Sequence, residues 1–151
     1  MPRRREEMMK ALNVCFAVIL VLLIYTAARS LAAEVFFVRY RFETQRLKGE
    51  SRTGEKALGE ISRAVAAEPQ NVTFLNEKAY LLLSLAGVSK DFEKRLEFAD
   101  RSLSIARRSV AIAPGYWESW RVLALSLKAL GMEAESRAAM KRAEELSPKG
   151  P

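Results

Sequence analysis

The chain contains no histidine and only one cysteine. Histidine is the side chain that most often transfers protons or binds metals near neutral pH, so its absence removes most acid–base and metal chemistry. A single cysteine cannot form an intramolecular disulfide, and we interpret Cys15 as a small apolar residue because it lies in an apolar run. The sequence also lacks a glycine-rich phosphate loop, a nucleophile elbow and a clustered metal-ligand pattern. We therefore expect no enzyme, no cofactor and no small-molecule substrate.

Charge is missing from one long stretch near the N-terminus. Residues 11–28 read ALNVCFAVILVLLIYTAA, and ten of these 18 residues are Leu, Ile, Val or Phe. Those ten favour membrane insertion by roughly 3 to 6 kcal/mol in total. At about 1.5 Å per residue a helix of this length just crosses about 30 Å of hydrocarbon. We predict a transmembrane helix over residues 11–28. Its lipid-facing side chains are predicted to include Leu12, Phe16, Ile19, Leu22, Leu23 and Ile24.

The flanks of this run leave two interpretations open. Residues 1–10 form a basic tail, and Ser30–Ala32 is a passable signal-peptide cleavage site, which would release a secreted protein. Helix-forming apolar sequence continues through that site, which favours a retained anchor. Basic residues are nearly balanced on the two sides, but a short charged tail is costly to translocate. We therefore favour a single-pass protein of the bacterial inner membrane, with the C-terminal part on the periplasmic side.

Prolines reveal a repeat in the rest of the chain. Pro114 and Pro148 are 34 residues apart, and Pro69 ends a similar segment. Counting back five, eight and twelve residues from each proline gives a small, a larger or apolar, and a small residue. The three sets are Ala64, Ile61 and Ala57; Ser109, Ala106 and Ser102; and Ala143, Met140 and Ser136. Small residues at this spacing form a helix face that another helix can approach closely.

The last segment carries a recognisable pattern. Trp120, Leu123, Ala124 and Leu127 follow the spacing of one helix face, and Gly131 then ends that helix. Together with Ser136, Met140, Ala143 and Pro148, these residues resemble the 34-residue tetratricopeptide repeat (TPR). Leu127, Ser136 and Met140 depart from the usual Tyr, Ala and Phe.

The resemblance implies an all-α fold, in which the transmembrane helix predicted from the apolar run continues into a short TPR-like α-solenoid of about 2.5 repeats. It also implies a groove, lined by the first helix of each repeat, that binds peptides or helices of other proteins. Tyr80, Arg121, Leu125 and Lys128 would lie in that groove. Tyr80 and Leu125 replace polar residues of the carboxylate clamp that some family members have, so we do not expect that activity.

The middle repeat is about eleven residues longer than the period. An unbroken apolar stripe predicts one long helix over about residues 90–112, with Ser89 as its N-cap. Phe92 and Leu96 lie on the extra turns, beyond the reach of the partner helix. We predict that they contact either the continuation of the anchor helix or a permanent protein partner.

The first repeat is irregular. No helix breaker lies between Ala11 and Leu47, which predicts one helix of about 37 residues, ~55 Å long. Phe36, Phe37 and Tyr40 are predicted to lie at the membrane–water interface. Residues 48–54 are predicted to be a loop, and residues 29–54 a degenerate first repeat. A regular repeat domain over residues 55–150 would follow.

The last helix, over residues 133–146, has no capping helix after it, so we expect it to leave apolar surface uncovered.

These features predict a non-catalytic adaptor or accessory subunit that docks on a larger membrane protein complex. Its partners would be complex subunits and the lipid bilayer, and its mildly basic surface is interpreted as solvated rather than nucleic-acid-binding. A transient chaperone-like peptide binder in secretion, cytochrome maturation or polysaccharide assembly is one alternative. A cleaved, secreted TPR module is another. The layout of mitochondrial import receptors, with the repeats in the cytosol, is also compatible.

Overall fold

The computed structural model describes the backbone of residues 2–45 and 51–148, and the side chains of residues 12–45 and 54–148. Within these ranges the chain forms six α-helices and no strand, which confirms the all-α prediction. The helices are α1 (Pro2–Gln45), α2 (Ser51–Ala67), α3 (Val72–Val88), α4 (Phe92–Ile112), α5 (Trp117–Ala129) and α6 (Glu133–Leu146). They pack as three consecutive pairs, and α3 and α4 also contact α5.

The first helix is continuous, because nothing in its sequence interrupts the backbone hydrogen bonding. It begins at Pro2, nine residues before the predicted start, and it packs on α2 as the first helix of a repeat does. Residues 46–50, which include the predicted helix end at Leu47, lie outside the described part of the chain. Residues 51–54 were predicted to be loop but form the first turn of α2. Ser, Thr and Gly are tolerated there because the first four N–H groups of a helix have no partner within it.

The hydrophobic core begins where α1, α2 and α3 meet. Tyr40, Ile61, Phe74 and Leu75 are all buried in this cluster. The ring of Phe37 lies 4.8 Å from that of Phe74 and 5.7 Å from that of Tyr40, centroid to centroid.

The prediction that Phe36, Phe37 and Tyr40 lie at the membrane interface is therefore wrong. Tyr40 is only 5 % exposed, and Phe36 and Phe37 are half-buried against the same cluster. The Tyr40 hydroxyl donates to Glu77 Oε2 at 2.9 Å, which ties α1 to α3. An aromatic ring with a polar tip suits a membrane interface and a buried helix contact equally well, so local sequence does not distinguish them.

The long helix of the middle repeat is confirmed, but its N-cap is Asp91 rather than Ser89. The Asp91 carboxylate accepts hydrogen bonds from the backbone N–H groups of Glu93 and Lys94, at 3.0 and 3.4 Å. Ser89 instead ends α3, and its N–H donates to the carbonyl of Leu85. Ser89 and Asp91 are both residues that cap helix N-termini, so the sequence allowed α4 to begin after either of them.

The prediction of uncovered apolar surface on α6 is also wrong. Met140 packs against the cluster formed by Leu103, Ala124, Leu127 and Ala139. The large apolar side chains that the structure leaves exposed lie on α1, α3 and α4, not on α6. The outer face of α6 carries charged residues and alanine, which are compatible with exposure to water.

Candidate partner-binding surface

Residues 12–25 of α1 project from the helical body without packing against it. The six side chains that were predicted to face lipid are 55 to 68 % exposed: Leu12, Phe16, Ile19, Leu22, Leu23 and Ile24. Among the described residues, α1 is the one helix that is long and apolar enough to cross a membrane. It lies near the N-terminus, and a signal sequence there would have the same length and composition. Exposing this many large apolar side chains to water is unfavourable, so the surface requires an apolar environment.

The packed part of the protein begins near Thr26, where α1 first lies beside the end of α2. The guanidinium group of Arg29 donates from Nε to the carbonyl of Ala67 and from Nη2 to the carbonyl of Ala66, at 3.3 Å for the latter. These are carbonyls of the last turn of α2, which have no partner within the helix. Arg29 therefore fastens the end of α2 to α1 at the point where the exposed apolar stretch ends.

The predicted groove residues form a cation–aromatic cluster on α3 and α5. The Cζ atom of Arg121 lies 5.7 Å from the ring centroid of Tyr80 and 5.5 Å from that of Trp117. Burial raises the pKa of Tyr80, and the positive charge of Arg121 opposes that shift. The Tyr80 hydroxyl oxygen is enclosed beside Arg121 without full hydrogen-bond geometry to any described group. Two ring contacts hold the guanidinium group in place while Arg121 stays exposed to solvent.

Tyr116 and Glu118 lie at the start of α5, beside this cluster. The Tyr116 hydroxyl donates to Glu118 Oε2 at 2.6 Å, and that bond, with burial and the carboxylate charge, raises the pKa of Tyr116 to about 12. Among the described side chains, Arg121 forms no salt bridge at ion-pair distance, so its positive charge stays available to a partner.

Leu125 and Lys128 continue the same edge of α5. Arg121, Leu125 and Lys128 are spaced four and three residues apart, so they lie on one face of the helix. Leu125 is half-buried and Lys128 is exposed. On α3, Leu83 follows Tyr80 by three residues and lies on the next turn of the same face.

The extended α3–α4 hairpin forms a step beyond the end of α5. Phe92 is 64 % exposed and Leu96 is 46 % exposed, so the continuation of α1 does not cover them. They line an open recess of about 400 Å³. Its walls are Leu83, Ala86, Gly87, Phe92, Arg95, Leu96, Ala99 and Ala129. We call this recess the α4 step.

The α4 step and the groove are one continuous surface. Leu83 and Ala129 line the step, and they are the next turn after Tyr80 and Leu125 respectively. All six predicted partner-binding residues lie on this surface or at its rim. Leu125 and Tyr80 are half-buried, with Tyr80 beneath Arg121, and the other four are exposed: Phe92, Leu96, Arg121 and Lys128. Sequence reasoning missed Arg95, whose Cζ lies 5.6 Å from the Phe92 ring. Arg95 follows Phe92 by three residues, and this spacing predicts that the two side chains are neighbours on one helix face.

A buried polar cluster fixes the relative positions of α3, α4 and α5. Ser109 Oγ donates to Asn76 Oδ1 at 2.6 Å and lies 2.9 Å from Ser119 Oγ, and Asn76 Nδ2 donates to Ser119 Oγ at 3.4 Å. All three residues are at most 2 % exposed. We call these residues the polar triangle. It holds the two groove helices, α3 and α5, at a fixed spacing on α4.

The described side chains contain no cluster of three or more His, Cys, Asp or Glu that could hold a metal ion. The surface offers apolar area and guanidinium or ammonium groups, which is the chemistry of binding another polypeptide.

Comparison with solved structures shows that the fold is TPR-like. The first TPR of Spaghetti (RPAP3), bound to the HSP90 peptide SRMEEVD, superposes with a TM-score of 0.64 at 17 % identity, over 80 % of this chain and 83 % of that one. The second TPR of Spaghetti, bound to the same peptide, gives a TM-score of 0.63 at 15 % identity, over 83 % and 95 % of the two chains. MamA gives 0.61 at 15 % identity and matches 80 % of this chain but 61 % of its own length. No protein-family model and no curated protein matches the sequence. At identities of 15 to 17 %, the similarity shows the fold alone.

Proposed function

We propose that this protein is a non-catalytic, membrane-anchored TPR adaptor or accessory subunit that docks on a larger membrane protein complex. The observation that carries the proposal is the α4 step, where Phe92 and Leu96 are exposed next to a groove built on a TPR-like fold. Burying one Phe and one Leu contributes on the order of 3 to 5 kcal/mol, which is enough to matter for a stable subunit contact.

The chemistry of the surface specifies the partner. The recess is apolar, while Arg95 lines it and Lys128 and Arg121 follow along α5. We infer that the partner segment is an amphipathic helix that inserts apolar side chains into the α4 step and directs acidic side chains toward these cations.

The exposed apolar half of α1 supports the membrane location. We propose that it crosses the bacterial inner membrane once and leaves the repeat domain on the periplasmic side. Protease accessibility in intact cells and in inverted vesicles tests this orientation.

Purification of the full chain from mildly solubilised membranes tests the docking proposal. Phe92→Asp and Leu96→Asp place a charge in the α4 step and should abolish recovery of the partner subunit. Val88→Asp is the matched control, because Val88 is 63 % exposed at the same hairpin tip but lines a different recess, beside α2. Recovery of the partner with all three variants, each with unchanged circular dichroism, would contradict the proposal.

A second candidate is a transient, chaperone-like peptide binder. The observation that favours it is the exposed guanidinium group of Arg121, held between Tyr80 and Trp117. This function predicts weak binding of acidic peptides that is lost in Arg121→Glu and is retained in Phe92→Asp, whereas subunit docking predicts the strongest loss at Phe92.

Cleavage to a secreted module is the third candidate. Cutting after Ala32 would remove Arg29 from the end of α2, so we disfavour it. The intact mass of the mature chain distinguishes this candidate, since only cleavage removes the N-terminal segment.

A further inference from the structure

We propose that the α2–α3 turn, residues 68–71, lies in the lipid headgroup layer of the membrane that α1 crosses. The hydrocarbon-spanning part of α1 is then displaced by about three residues toward the N-terminus, from residues 11–28 to about residues 8–25. This inference rests on the membrane anchoring proposed above and adds a defined lipid contact and a fixed depth.

The turn packs beside the last part of the apolar run. Glu68, Pro69, Gln70 and Asn71 line a recess together with Thr26, Arg29 and Ser30 of α1. Asn71 donates to Glu68 Oε2 at 2.9 Å, and a hydrogen bond from Ser30 is the largest of the effects that hold the pKa of Glu68 below its usual range. Because α1 is unbroken and Arg29 bonds to the end of α2, the depth of Thr26 sets the depth of the turn.

The polar turn cannot lie in hydrocarbon. It carries an ionised carboxylate, two amide side chains and backbone groups outside any helix, all of which are costly to remove from water. If residues 11–28 spanned the hydrocarbon, Thr26 and the turn beside it would lie about 3 Å inside the boundary. The hydrocarbon must therefore begin at or before Tyr25, an exposed aromatic residue of the type enriched at that boundary.

The length of α1 agrees with this depth. The exposed stretch from Leu12 to Tyr25 spans only about 21 Å, which is less than the ~30 Å of a typical hydrocarbon core. The backbone of α1 continues as helix to Pro2, so residues before Leu12 extend the span. The backbone of Lys10 then lies about 3 Å inside the opposite boundary, a distance that a lysine side chain can reach across to the headgroups.

The chemistry of the turn suits phospholipid headgroups. Arg29 and Arg108 are both exposed, and both bond to carbonyls at this end of the domain: Arg29 to Ala66 and Ala67, and Arg108 to Pro69 at 2.6 Å. Their hydrogen bonds go to neutral carbonyls, and among the described side chains only Arg29 also interacts with a carboxylate, that of Glu68. Both guanidinium groups have further N–H groups that can donate to phosphate oxygens. Anionic lipids should therefore strengthen the contact.

The opposite end of the domain is remote from the membrane. Helix α3 begins directly after the turn and has 17 residues, about 25 Å of helix. The α3–α4 turn and the α4 step lie at its far end. Lipid therefore cannot cover Phe92 and Leu96, which leaves them to a protein partner.

Depth measurement on the full chain tests the inference. In a Cys15→Ser background, spin labels are placed on Gln70→Cys and, as the matched control, on Lys90→Cys, because both residues are exposed turn positions at opposite ends of α3. The protein is reconstituted into phosphatidylcholine–phosphatidylglycerol vesicles that contain a nickel-chelating headgroup lipid. We expect nickel to enhance the relaxation of the label at 70 several-fold more than that of the label at 90.

Three outcomes would overturn the inference. Equal nickel effects at 70 and 90 with the protein resistant to alkaline extraction would show an anchored domain that stands clear of the lipid. A label at 70 that is accessible to oxygen but not to nickel would place the turn in hydrocarbon. Release of the chain by alkaline extraction would remove the membrane anchoring and this contact together, and so would identify failure of the earlier proposal.

Discussion

At the residue scale, the polar triangle of Asn76, Ser109 and Ser119 is the most sensitive point of the fold. Asn76 joins α3 to both α4 and α5 through its amide oxygen and nitrogen. Asn76→Ala leaves two buried hydroxyl groups without their amide partner and opens a small cavity. We expect it to lower the free energy of unfolding by about 2 to 3 kcal/mol. Urea denaturation in mild detergent, followed by circular dichroism, measures this change.

The control for that experiment is Thr73→Ala, at an exposed position on the same helix. Surface substitutions of this kind change stability by about 0.5 kcal/mol or less. If the two variants were equally stable, the polar triangle would not be what positions α3 and α5.

A second prediction at this scale concerns the pH dependence of Tyr116. Its pKa in the folded protein is about 12, whereas an unperturbed tyrosine has a pKa of about 10. The folded state therefore holds this proton more tightly than the unfolded state does. The stabilisation is fully present below about pH 10 and is lost as the pH rises through about 12. Since Tyr116 is partly solvated, the effect on stability is small and the titration itself is the better observable.

Glu118→Gln removes the carboxylate charge and keeps an acceptor oxygen. We expect the phenolate absorbance of Tyr116 to develop at lower pH in this variant, because the carboxylate bond is the main cause of the shift. Glu133→Gln, at an exposed position on α6, is the control and should titrate like the wild type. Identical curves for all three proteins would refute the Tyr116–Glu118 bond.

At the scale of the element, the end of α5 is set by glycine. Gly131 has φ +75°, and the N–H groups of Gly131 and Met132 donate to the carbonyls of Lys128 and Leu127, both at 3.0 Å. This is a Schellman motif, whose left-handed residue strongly favours glycine. An added Cβ would contact nothing within 4 Å, so the cost of Gly131→Ala is purely conformational. We expect a loss of about 1 kcal/mol in unfolding free energy.

Gly59→Ala is the opposite case and serves as the matched control. Gly59 lies inside α2 and is exposed, and a Cβ added there would likewise meet no other atom within 4 Å. Replacing it should raise the unfolding free energy by about 0.5 to 1 kcal/mol, because alanine loses less backbone freedom in a helix. The two thermal transitions should shift in opposite directions, and shifts of the same sign would contradict the assignment of Gly131 to the left-handed position.

Sequence periodicity was sufficient to identify the packed helices, because each of them buries one face and that face recurs along the chain. It did not give the starts of α1 and α2. It was not sufficient for contacts between distant elements. The placement of Tyr40 depends on Glu77 and that of Phe37 on Phe74, each partner more than 30 residues away. Nothing near Tyr40 in the sequence distinguishes a core ring from an interfacial one. Leu75 and Asn76 are both buried on α3, and the burial of the polar Asn76 depends on its partners on α4 and α5.

The candidate surface could be predicted in part for a similar reason. Phe92 and Leu96 were identifiable because the middle repeat exceeds the period, and Arg121 because it lies at a groove position. The continuity of the α4 step with the groove depends on how far α5 reaches along α3, which the sequence of neither helix specifies. Arg95 was missed because a charged residue on a surface helix is ordinarily solvated.

At the scale of the whole molecule, α1 has an exposed apolar part and a part that packs in the helical domain, and a pair of truncations separates them. Deleting residues 1–27 removes the exposed apolar stretch and keeps Arg29 on α2 as well as Tyr40 in the core. We expect a soluble chain that unfolds cooperatively. Deleting residues 1–45 also removes the buried Tyr40 and the half-buried Phe36 and Phe37. A fully buried side chain of this size contributes about 1.5 to 3 kcal/mol, and each half-buried one contributes part of that. That loss is comparable with the whole stability of a domain of this size. The second truncation should bind hydrophobic dyes and lose its cooperative transition, as calorimetry and circular dichroism would show. If it melted like the first, the later part of α1 would be a dispensable linker rather than the first helix of the repeat domain.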